Sequence, residues 1–372
     1  MNDAHVRIGI IGCGQIGSRH IERYMKIPGA TIVGVADLSK TARDAAAEAA
    51  GGAKAFKDFR ELLAMDEVQA VDVCLHNNLH APVTAAAFKA GKHVFCEKPI
   101  AGSYADGLAM VKAAKRYRCR LSIQIASLFQ PATKAARRLI EAGRLGKPYF
   151  ARSVGFRRRG RCFVDGYGSK DFVRRHVAAG GALYDMGIYH ISQILHLLGN
   201  PSARTITGGT YQEIDMYADR RRTSRFDVEE LGLGYVRLAD GVTLIIEESW
   251  AIHLGSLGHS CVVGPKAGLS FEPDGLKLYG TQDDLEMDST VQADTADRRR
   301  HMVDPAYAAF DSPQHHWIAT LNGSLAKPID TAAIALNTML ISEGVYLSQK
   351  LGREVTAAEV VKRSKSTAVK NV

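Results

Sequence analysis

Three side chains that can exchange protons lie close together in the segment GGALYDMGIYHISQ, residues 180–193. They are Asp185, Tyr189 and His190, and the apolar residues after them predict a buried helix. Helix positions four apart lie roughly 40° from each other, and positions five apart roughly 140°. Asp185 and Tyr189 are therefore expected to share one face, while His190 projects elsewhere. A tyrosine hydroxyl beside a cationic group can donate a proton to a forming alkoxide.

Each of these residues also has a purely structural interpretation. Asp185 follows two glycines near the helix start, where the helix dipole favours a carboxylate. Tyr189 is alternatively a core tyrosine with a satisfied hydroxyl. A lone histidine such as His190 more often packs or faces solvent than reacts. A hinge at Gly187 would rotate the helix start and exchange the roles of Tyr189 and His190.

A lysine is the fourth candidate. The segment HVFCEKPIA, residues 93–101, ends an apolar strand with Glu97, Lys98 and Pro99. Ligands of open α/β sheets bind at the carboxyl ends of the strands, so Lys98 is expected at the ligand crevice. Burial there would lower its pKa, which suits a lysine that exchanges a proton with a substrate hydroxyl. The alternative is a surface lysine paired with a neighbouring carboxylate.

A glycine-rich turn predicts the cofactor. Residues 12–17, GCGQIG, follow a strand and open a helix, which is the context that a dinucleotide-binding turn requires. Gly12 permits the tight turn, Gly14 lets a pyrophosphate approach the backbone, and Gly17 lets the helix pack on the strand. Gln15 and Ile16 then offer helix-start N–H groups to the phosphates.

A carboxylate further along the chain favours NAD over NADP. Asp37 ends the second predicted strand, where it would accept hydrogen bonds from the ribose hydroxyls and repel a 2′-phosphate. NADP remains an alternative because Lys40 and Arg43 lie nearby. The positive nicotinamide ring would add to the effect of burial on Lys98.

Short apolar runs alternate with helical patterns over the first 125 residues. This alternation is typical of a doubly wound parallel sheet. We predict an α/β protein with a Rossmann domain over residues 1–126 and a second α/β domain over residues 127–372. The second domain shows period-two runs, which indicate a large and mainly antiparallel open sheet. A C-terminal helix near residues 331–350 is expected to pack back on the first domain, and residues 156–180 and 281–314 are expected to be long polar loops.

Composition narrows the class of protein. The chain has 372 residues and a net charge of +9, and its six cysteines form no metal-binding pattern, so we expect no metal and reduced cysteines. Arginines cluster at residues 157–161, 220–222 and 298–300 without an accompanying nucleic-acid motif, so neither a nucleic acid nor a membrane is an expected partner. The N-terminus lacks the features of a signal peptide, which favours the cytoplasm.

Four segments together resemble the glucose–fructose oxidoreductase, inositol dehydrogenase and MocA family. They are GCGQIG, VADLSK, the run from LHNNLH to FCEKPIA, and GGALYDMGIYHISQ. The resemblance implies nicotinamide-dependent oxidation or reduction of a sugar or cyclitol hydroxyl, with Lys98 matching the catalytic lysine. It also implies that Asn78, His80 and Glu97 help to bind the cofactor, and that the chain forms a homodimer or homotetramer through the sheet of the second domain.

The sequence departs from the family pattern at three places. His76 and Asn77 stand where many members have Thr and Pro, and residues 126–128 replace an Asn-Arg pair. Tyr189 occupies the position at which many members carry a histidine. Sugar-reducing members have a tyrosine there, so Tyr189 resembles their catalytic residue.

These features predict an NAD-dependent sugar, glycoside or cyclitol dehydrogenase in which Lys98 and Tyr189 handle the proton. Asp185 would orient the substrate hydroxyls or tune Lys98, and His190 is a weaker candidate for substrate binding. The arginines at 157–161 suggest an acidic sugar or a glycoside as substrate. Two alternatives stay open: an enzyme that retains its cofactor and transfers, epimerises or cleaves sugars, and a non-catalytic NAD-binding regulator.

Overall fold

The first part of the chain forms a parallel sheet in the computed structural model, which describes residues 5–370 and 372. Its strands are β1 (Val6–Ile11), β2 (Ala30–Ala36), β3 (Lys54–Phe56), β4 (Ala70–Val73), β5 (His93–Cys96) and β6 (Leu121–Ile123). Its helices are α1 (Gln15–Tyr24), α2 (Lys40–Ala49), α3 (Phe59–Leu63), α4 (Asn77–Lys89) and α5 (Tyr104–Arg116). The strand order is β3-β2-β1-β4-β5-β6. Helices cover both faces, which explains why the strands read as nearly continuous apolar runs.

Helix α4 differs from the prediction at its start. The sequence favours a helix from Pro82, since proline suits a first turn, but α4 begins five residues earlier. Pro82 has no N–H to donate to the carbonyl oxygen of Asn78, four residues before it. That carbonyl oxygen instead accepts the backbone N–H of Val369, 3.0 Å away in the C-terminal tail. A long-range contact therefore compensates for the proline inside the helix.

The second part of the chain forms a nine-stranded sheet. Its strands are β7 (Phe150–Phe156), β8 (Ala203–Tyr211), β9 (Leu231–Leu238), β10 (Thr243–Ser249), β11 (Ser260–Val263), β12 (Ala267–Glu272), β13 (Gly275–Gln282), β14 (Leu285–Val291) and β15 (Val355–Thr356). The order is β14-β13-β12-β11-β7-β10-β9-β8-β15. Its neighbours pair antiparallel except β7 and β10, which run parallel. The predicted fold class is confirmed.

Further helices follow α5 in the chain. They are α6 (Pro131–Glu141), α7 (Arg175–Ala178), α8 (Ala182–Asp185), α9 (Gly187–Leu197), α10 (Ala218–Ser224), α11 (Ala293–Val303), α12 (Pro313–Leu321), α13 (Thr331–Leu351) and α14 (Ala357–Arg363). Within the residues that the structure describes, no helix is long and apolar enough to cross a membrane.

The prediction of a loop over residues 281–314 is wrong. This range holds the end of β13, all of β14, α11 and the start of α12. Strand β14 lies at the sheet edge and is exposed along nearly its whole length, although Leu285, Met287 and Val291 alternate with more polar residues. The loop predicted over residues 156–180 is correct only for residues 157–169, which form turns and isolated bridges; a 3-10 helix (Lys170–Val173) and a short α-helix (Arg175–Ala178) follow them.

Helix α13 joins the two sheets. It packs on α9 and β8 of the second sheet and on α5 and β6 of the first. At its start, the Thr331 hydroxyl oxygen lies 2.9 Å from that of Ser122 and accepts the backbone N–H of Ile123 at 2.8 Å. In α12, Trp317 packs against Phe95 of β5 with ring centroids 6.0 Å apart. The C-terminal helices therefore complete the core of the first sheet, and a domain boundary at residue 126 stays a prediction.

Candidate active site at the end of strand β5

The glycine-rich turn lies between β1 and α1 and leaves one side open. Gly12 has a φ of +94°, and a Cβ there would clash with the carbonyl oxygen of Cys74. A Cβ on Gly17 would clash with the carbonyl oxygen of Gly12, so both outer glycines are required for close packing. A Cβ on Gly14 would meet nothing within 4 Å. The open side at Gly14 fits a ligand that approaches the backbone closely.

The start of α1 offers donors to such a ligand. Gly14 is its N-cap and supplies no side-chain hydrogen bond, while Gln15 and Ile16 are exposed at the first turn. Free N–H groups at a helix start favour a phosphate. The Asp37 carboxylate lies beside the turn, where it accepts N–H groups from Cys13 and Ser39, each at 2.7 Å. These residues fit the pyrophosphate and ribose of a dinucleotide.

Lys98 lies two residues beyond β5 and is nearly buried, with 10% of its side chain exposed. Its ammonium nitrogen donates to Asp185 Oδ1 at 2.8 Å and to the Asp185 backbone oxygen at 3.1 Å. It also lies 4.8 Å from the centre of the Tyr189 ring. The structure thus brings together the three side chains that the sequence predicted as catalytic. The Lys98–Pro99 peptide is cis.

The expected lowering of the pKa of Lys98 is wrong for this geometry. Burial does act to lower the pKa of Lys98, but the Asp185 carboxylate together with Tyr189 and Glu97 outweighs it and the net pKa is raised. The contact between Lys98 and Asp185 also changes the pKa of Asp185. Burial alone would raise the pKa of Asp185, but the Lys98 ammonium lowers it below its usual range. The lysine is therefore held as a cation and the aspartate as an anion.

The helix that carries Asp185 and Tyr189 is interrupted. Asp185 ends α8, and α9 begins at Gly187 after a break at Met186. The N–H of Tyr189 returns to the carbonyl oxygen of Met186 at 2.9 Å. A single regular helix was expected here. Because the helix is interrupted, the angles between positions four and five apart in a regular helix do not fully describe how these side chains are arranged. Both Asp185 and Tyr189 still reach Lys98.

The two glycines before α8 have a packing role. A Cβ on Gly181 would clash with the carbonyl oxygen of Glu229. The buried Glu229 carboxylate accepts the N–H groups of Gly181 at 2.9 Å and Leu183 at 3.0 Å. Burial raises the pKa of Glu229 in spite of these hydrogen bonds. Glu229 therefore accepts the free N–H groups at the start of α8 and holds the backbone that leads to Asp185.

Two functional candidates were missed from the sequence, Trp250 and Glu248, and Arg157 was predicted only as one of the arginines at 157–161. Asp185 Oδ2 accepts the indole N–H of Trp250 at 3.1 Å and lies 3.8 Å from Arg157 Nη1. Glu248 Oε2 lies 2.9 Å from His190 Nδ1. One signal was available, because Glu248 occupies the buried face of β10 that Leu244 and Ile246 define, where a lone charge needs a partner.

His190 lies apart from Lys98 and pairs with Glu248. Its side chain is 30% exposed. Burial acts to lower the pKa of His190, but the Glu248 carboxylate outweighs it and the net pKa is raised. His190 therefore adds a cation to the rim of the site when it is protonated.

The arginines at 157–161 divide into different roles. Arg161 is fully buried and pairs with Asp165 and Glu230, each at 2.8 Å. Arg159 pairs with Asp165 at 3.2 Å. Arg157 is the member of this group that approaches Asp185, and 38% of its side chain is exposed. Arg157 is therefore the arginine of this group with an observed contact to Asp185.

The remaining predicted cofactor residues lie along the edge of the site. Asn78 Nδ2 donates to the carbonyl oxygen of His176 at 3.0 Å. His80 is fully buried, and its ring nitrogens face the carbonyl oxygens of Pro99 at 2.8 Å and Leu75 at 3.0 Å. His80 therefore joins two backbone segments next to Lys98, and a direct contact of Asn78 or His80 with the cofactor stays a prediction.

The departures from the family pattern also have structural roles. Asn77 Nδ2 donates to the carbonyl oxygen of Ala178 at 2.7 Å, which ties α4 to α7. Ser127 donates its hydroxyl to the carbonyl oxygen of Tyr189 at 2.7 Å. The first contact therefore holds the segment just before α8, and the second holds the helix that carries Tyr189.

Comparisons with known proteins agree with this geometry. Residues 6–125 match the model of an oxidoreductase family with an NAD-binding Rossmann fold (GFO_IDH_MocA), and residues 133–281 match the C-terminal domain of the same family. The chain is 28% identical to D-glucoside 3-dehydrogenase of Escherichia coli over 81% of this chain and 86% of that protein. It is also 28% identical to inositol 2-dehydrogenase 2 of Paenarthrobacter aurescens over 92% and 96%.

A solved structure shares the fold. Levoglucosan dehydrogenase in complex with NADH and levoglucosan superposes with a TM-score of 0.77. The match covers 95% of this chain and 99% of that one at 20% identity.

Proposed function

Because this chain belongs to the GFO/IDH/MocA family of NAD-binding oxidoreductases, we propose that it interconverts a ring hydroxyl and a ketone of a sugar, glycoside or cyclitol. The observation that carries the proposal is the cluster of Lys98, Asp185 and Tyr189 at the end of β5. The named activities of the glucoside and inositol dehydrogenases support the substrate class.

The bound NAD would accept or return the hydride, and the side chains of this chain would manage the proton. An ammonium group has three N–H donors, and Lys98 directs two of them to Asp185. We assign the third to the substrate oxygen. In ketone reduction, the carbonyl carbon gains the hydride while the oxygen takes a proton from Lys98. In alcohol oxidation, the substrate O–H proton passes to a neutral Lys98 as the C–H bond breaks.

Tyr189 supports this transfer in the proposal. Burial raises the pKa of Tyr189, so its hydroxyl stays protonated and can donate to the same substrate oxygen. Asp185 keeps Lys98 charged and oriented, and Trp250 fixes the second oxygen of Asp185. We assign Asp37 to the ribose hydroxyls, and the turn at residues 12–17 to the pyrophosphate.

A panel of sugars, sugar acids and cyclitols tests the function, with NAD and NADP, by the absorbance of the reduced cofactor. Turnover of at least one polyol with NAD is expected. NADH binding without turnover of any compound would refute the dehydrogenase.

Lys98→Met tests the assigned chemistry. We expect it to abolish turnover and to leave NADH binding within about threefold. Lys92→Met is a matched control, because Lys92 is a buried lysine beside β5 whose ammonium donates to the carbonyl oxygen of Met65 at 2.8 Å. Activity that survives Lys98→Met would contradict the role of this lysine.

We also propose that the enzyme is a homodimer or homotetramer that associates through the second sheet. Large apolar side chains are exposed on β13 and β14, among them Tyr279, Leu285 and Met287. Such residues are enriched at interfaces compared with the rest of a protein surface. Light scattering coupled to size-exclusion chromatography measures the mass, and a 40.4 kDa monomer at micromolar concentration would refute the association.

A further inference from the structure

A line of buried charges lies behind Lys98. The His20 side chain, on α1, is 2% exposed and stands between Asp72 of β4 and Glu97, the residue after β5. His20 Nδ1 lies 2.8 Å from Asp72 Oδ2, and His20 Nε2 lies 3.0 Å from Glu97 Oε1. The other oxygen of Glu97 accepts the backbone N–H of Lys98 at 2.9 Å. Hydrogen bonds and one ion-pair contact therefore connect Asp72 to the backbone of Lys98.

This geometry favours the protonated state of His20. A carboxylate lies within 3.0 Å of each ring nitrogen, and two negative charges this close stabilise an imidazolium. Burial acts to lower the pKa of His20, but the Asp72 carboxylate beside it raises the pKa well above its usual range. Burial alone would raise the pKa of Glu97, but the bond from His20 lowers it. The charges thus alternate along Asp72, His20, Glu97, Lys98 and Asp185.

The other titratable groups around His20 are neutral. The Tyr24 hydroxyl and the Cys74 and Cys96 thiols face the same region, and burial raises the pKa of each. His80 lies near Glu97, and burial lowers the pKa of this histidine. The imidazolium is therefore the cation that compensates Asp72 from within the fold.

We propose that His20 is a positioning residue for the hydride-transfer reaction. Its imidazolium holds the Glu97 carboxylate, and Glu97 holds the backbone N–H at the base of the Lys98 side chain. Loss of the imidazolium leaves two buried carboxylates uncompensated, so Glu97 takes up a proton or turns away. The Lys98 ammonium then loses its alignment with the substrate oxygen, and a misplacement of about 1 Å can cost about 100-fold in rate.

The first test separates positioning from a loss of packing. This role presupposes the proposed function, so the turnover of the unaltered enzyme is the reference. His20→Gln has one amide group and cannot donate to both carboxylates. We expect kcat to fall by about tenfold to 100-fold, with KM and the Kd of NADH within about threefold. Ile21→Val, at a buried neighbour on the same helix, removes packing without charge and should leave kcat within about twofold.

A second variant tests the coupling. Glu97→Gln should lower kcat similarly, and the His20→Gln/Glu97→Gln double variant should be no slower than the slower single variant. Multiplied effects, an unchanged kcat, or a loss confined to KM or Kd would each overturn the positioning role.

Nitrogen NMR of the imidazole groups supplies a readout that needs no turnover. The protein has 13 histidines, and the His20 signals are identified by their loss in His20→Gln, or by their shift in Asp72→Asn if the first variant does not fold. Both His20 nitrogens should remain protonated at pH 8. A neutral His20 at that pH would overturn the inference. A protein with no turnover but a protonated His20 would refute the proposed function and leave the buried charge line intact.

Discussion

Replacing Asp185 by asparagine should move the pH dependence of substrate oxidation to lower pH. Oxidation requires a neutral Lys98, and the Asp185 carboxylate raises the pKa of that lysine. Below this pKa, the neutral fraction rises about tenfold for each pH unit. In the unaltered enzyme, kcat/KM for oxidation should therefore climb through neutral pH toward the alkaline range, while reduction of the ketone should decline.

The expected shift of the pH profile follows from the contact between Lys98 and Asp185. Two unit charges 2.8 Å apart attract by about 6 kcal/mol at an effective dielectric constant of about 20. The desolvation of both groups offsets part of this attraction, and one opposite charge in contact commonly changes a pKa by about 1 to 3 units. We therefore expect the whole alkaline rise to lie about 1 to 3 pH units lower in Asp185→Asn. Its maximal rate should also fall, because Lys98 loses an acceptor.

The assay is kcat/KM for oxidation between pH 6 and pH 10.5, with the best substrate of the panel. Trp250→Phe is the matched control, since it removes a hydrogen bond to the same carboxylate but keeps the charge. It should leave the rise in place within a few tenths of a pH unit. A rise that does not move in Asp185→Asn, or moves to higher pH, would refute the assignment of Lys98 as the group that titrates.

Three further predictions concern the rest of the site. Tyr189→Phe should lower kcat by about tenfold to 100-fold, the range typical of a lost proton donor, whereas His190→Asn should act mainly on KM; the reverse pattern in steady-state kinetics would exchange their roles. Asp37→Ala should weaken NADH binding and reduce the preference for NADH over NADPH, because Arg43 lies beside Asp37 and can meet a 2′-phosphate. An unchanged ratio of the Kd values of NADH and NADPH, measured by fluorescence, would contradict this. Arg157→Met should reduce kcat/KM for sugar acids more than for neutral sugars of equal size, and equal losses for both would remove Arg157 from substrate recognition.

The sequence-based predictions for the site were most accurate at residues whose type is explained by a single physical requirement. Gly12 and Gly17 are required by close backbone contacts, and a lysine at the end of a buried strand needs a partner. The position of Lys98 at a strand end was therefore predicted correctly. The direction in which its pKa changes was predicted wrongly. The carboxylate that raises the pKa of Lys98 lies 87 residues further along the chain, and a sequence pattern does not give such distances.

Other misses share this cause. The predicted helix is interrupted at Met186, and its first residues are held by the distant Glu229. Four neighbouring arginines suggested one basic surface, but Arg161 is buried by carboxylates from separate segments. His20 was not singled out, because a histidine in a helix has no distinctive pattern until Asp72 and Glu97 are known to flank it.

Helices α12 and α13 pack against the first sheet, and this packing determines which parts of the chain can be exchanged between related enzymes. Ser122, Ile123 and Phe95 take their partners from Thr331 and Trp317, more than 200 residues later. A nucleotide-binding unit cut out at residue 126 would expose the apolar surface that these helices cover and should aggregate when expressed alone. A chimaera with another dehydrogenase would have to exchange residues 1–126 together with residues 313–351, so that the inherited unit is discontinuous in the gene.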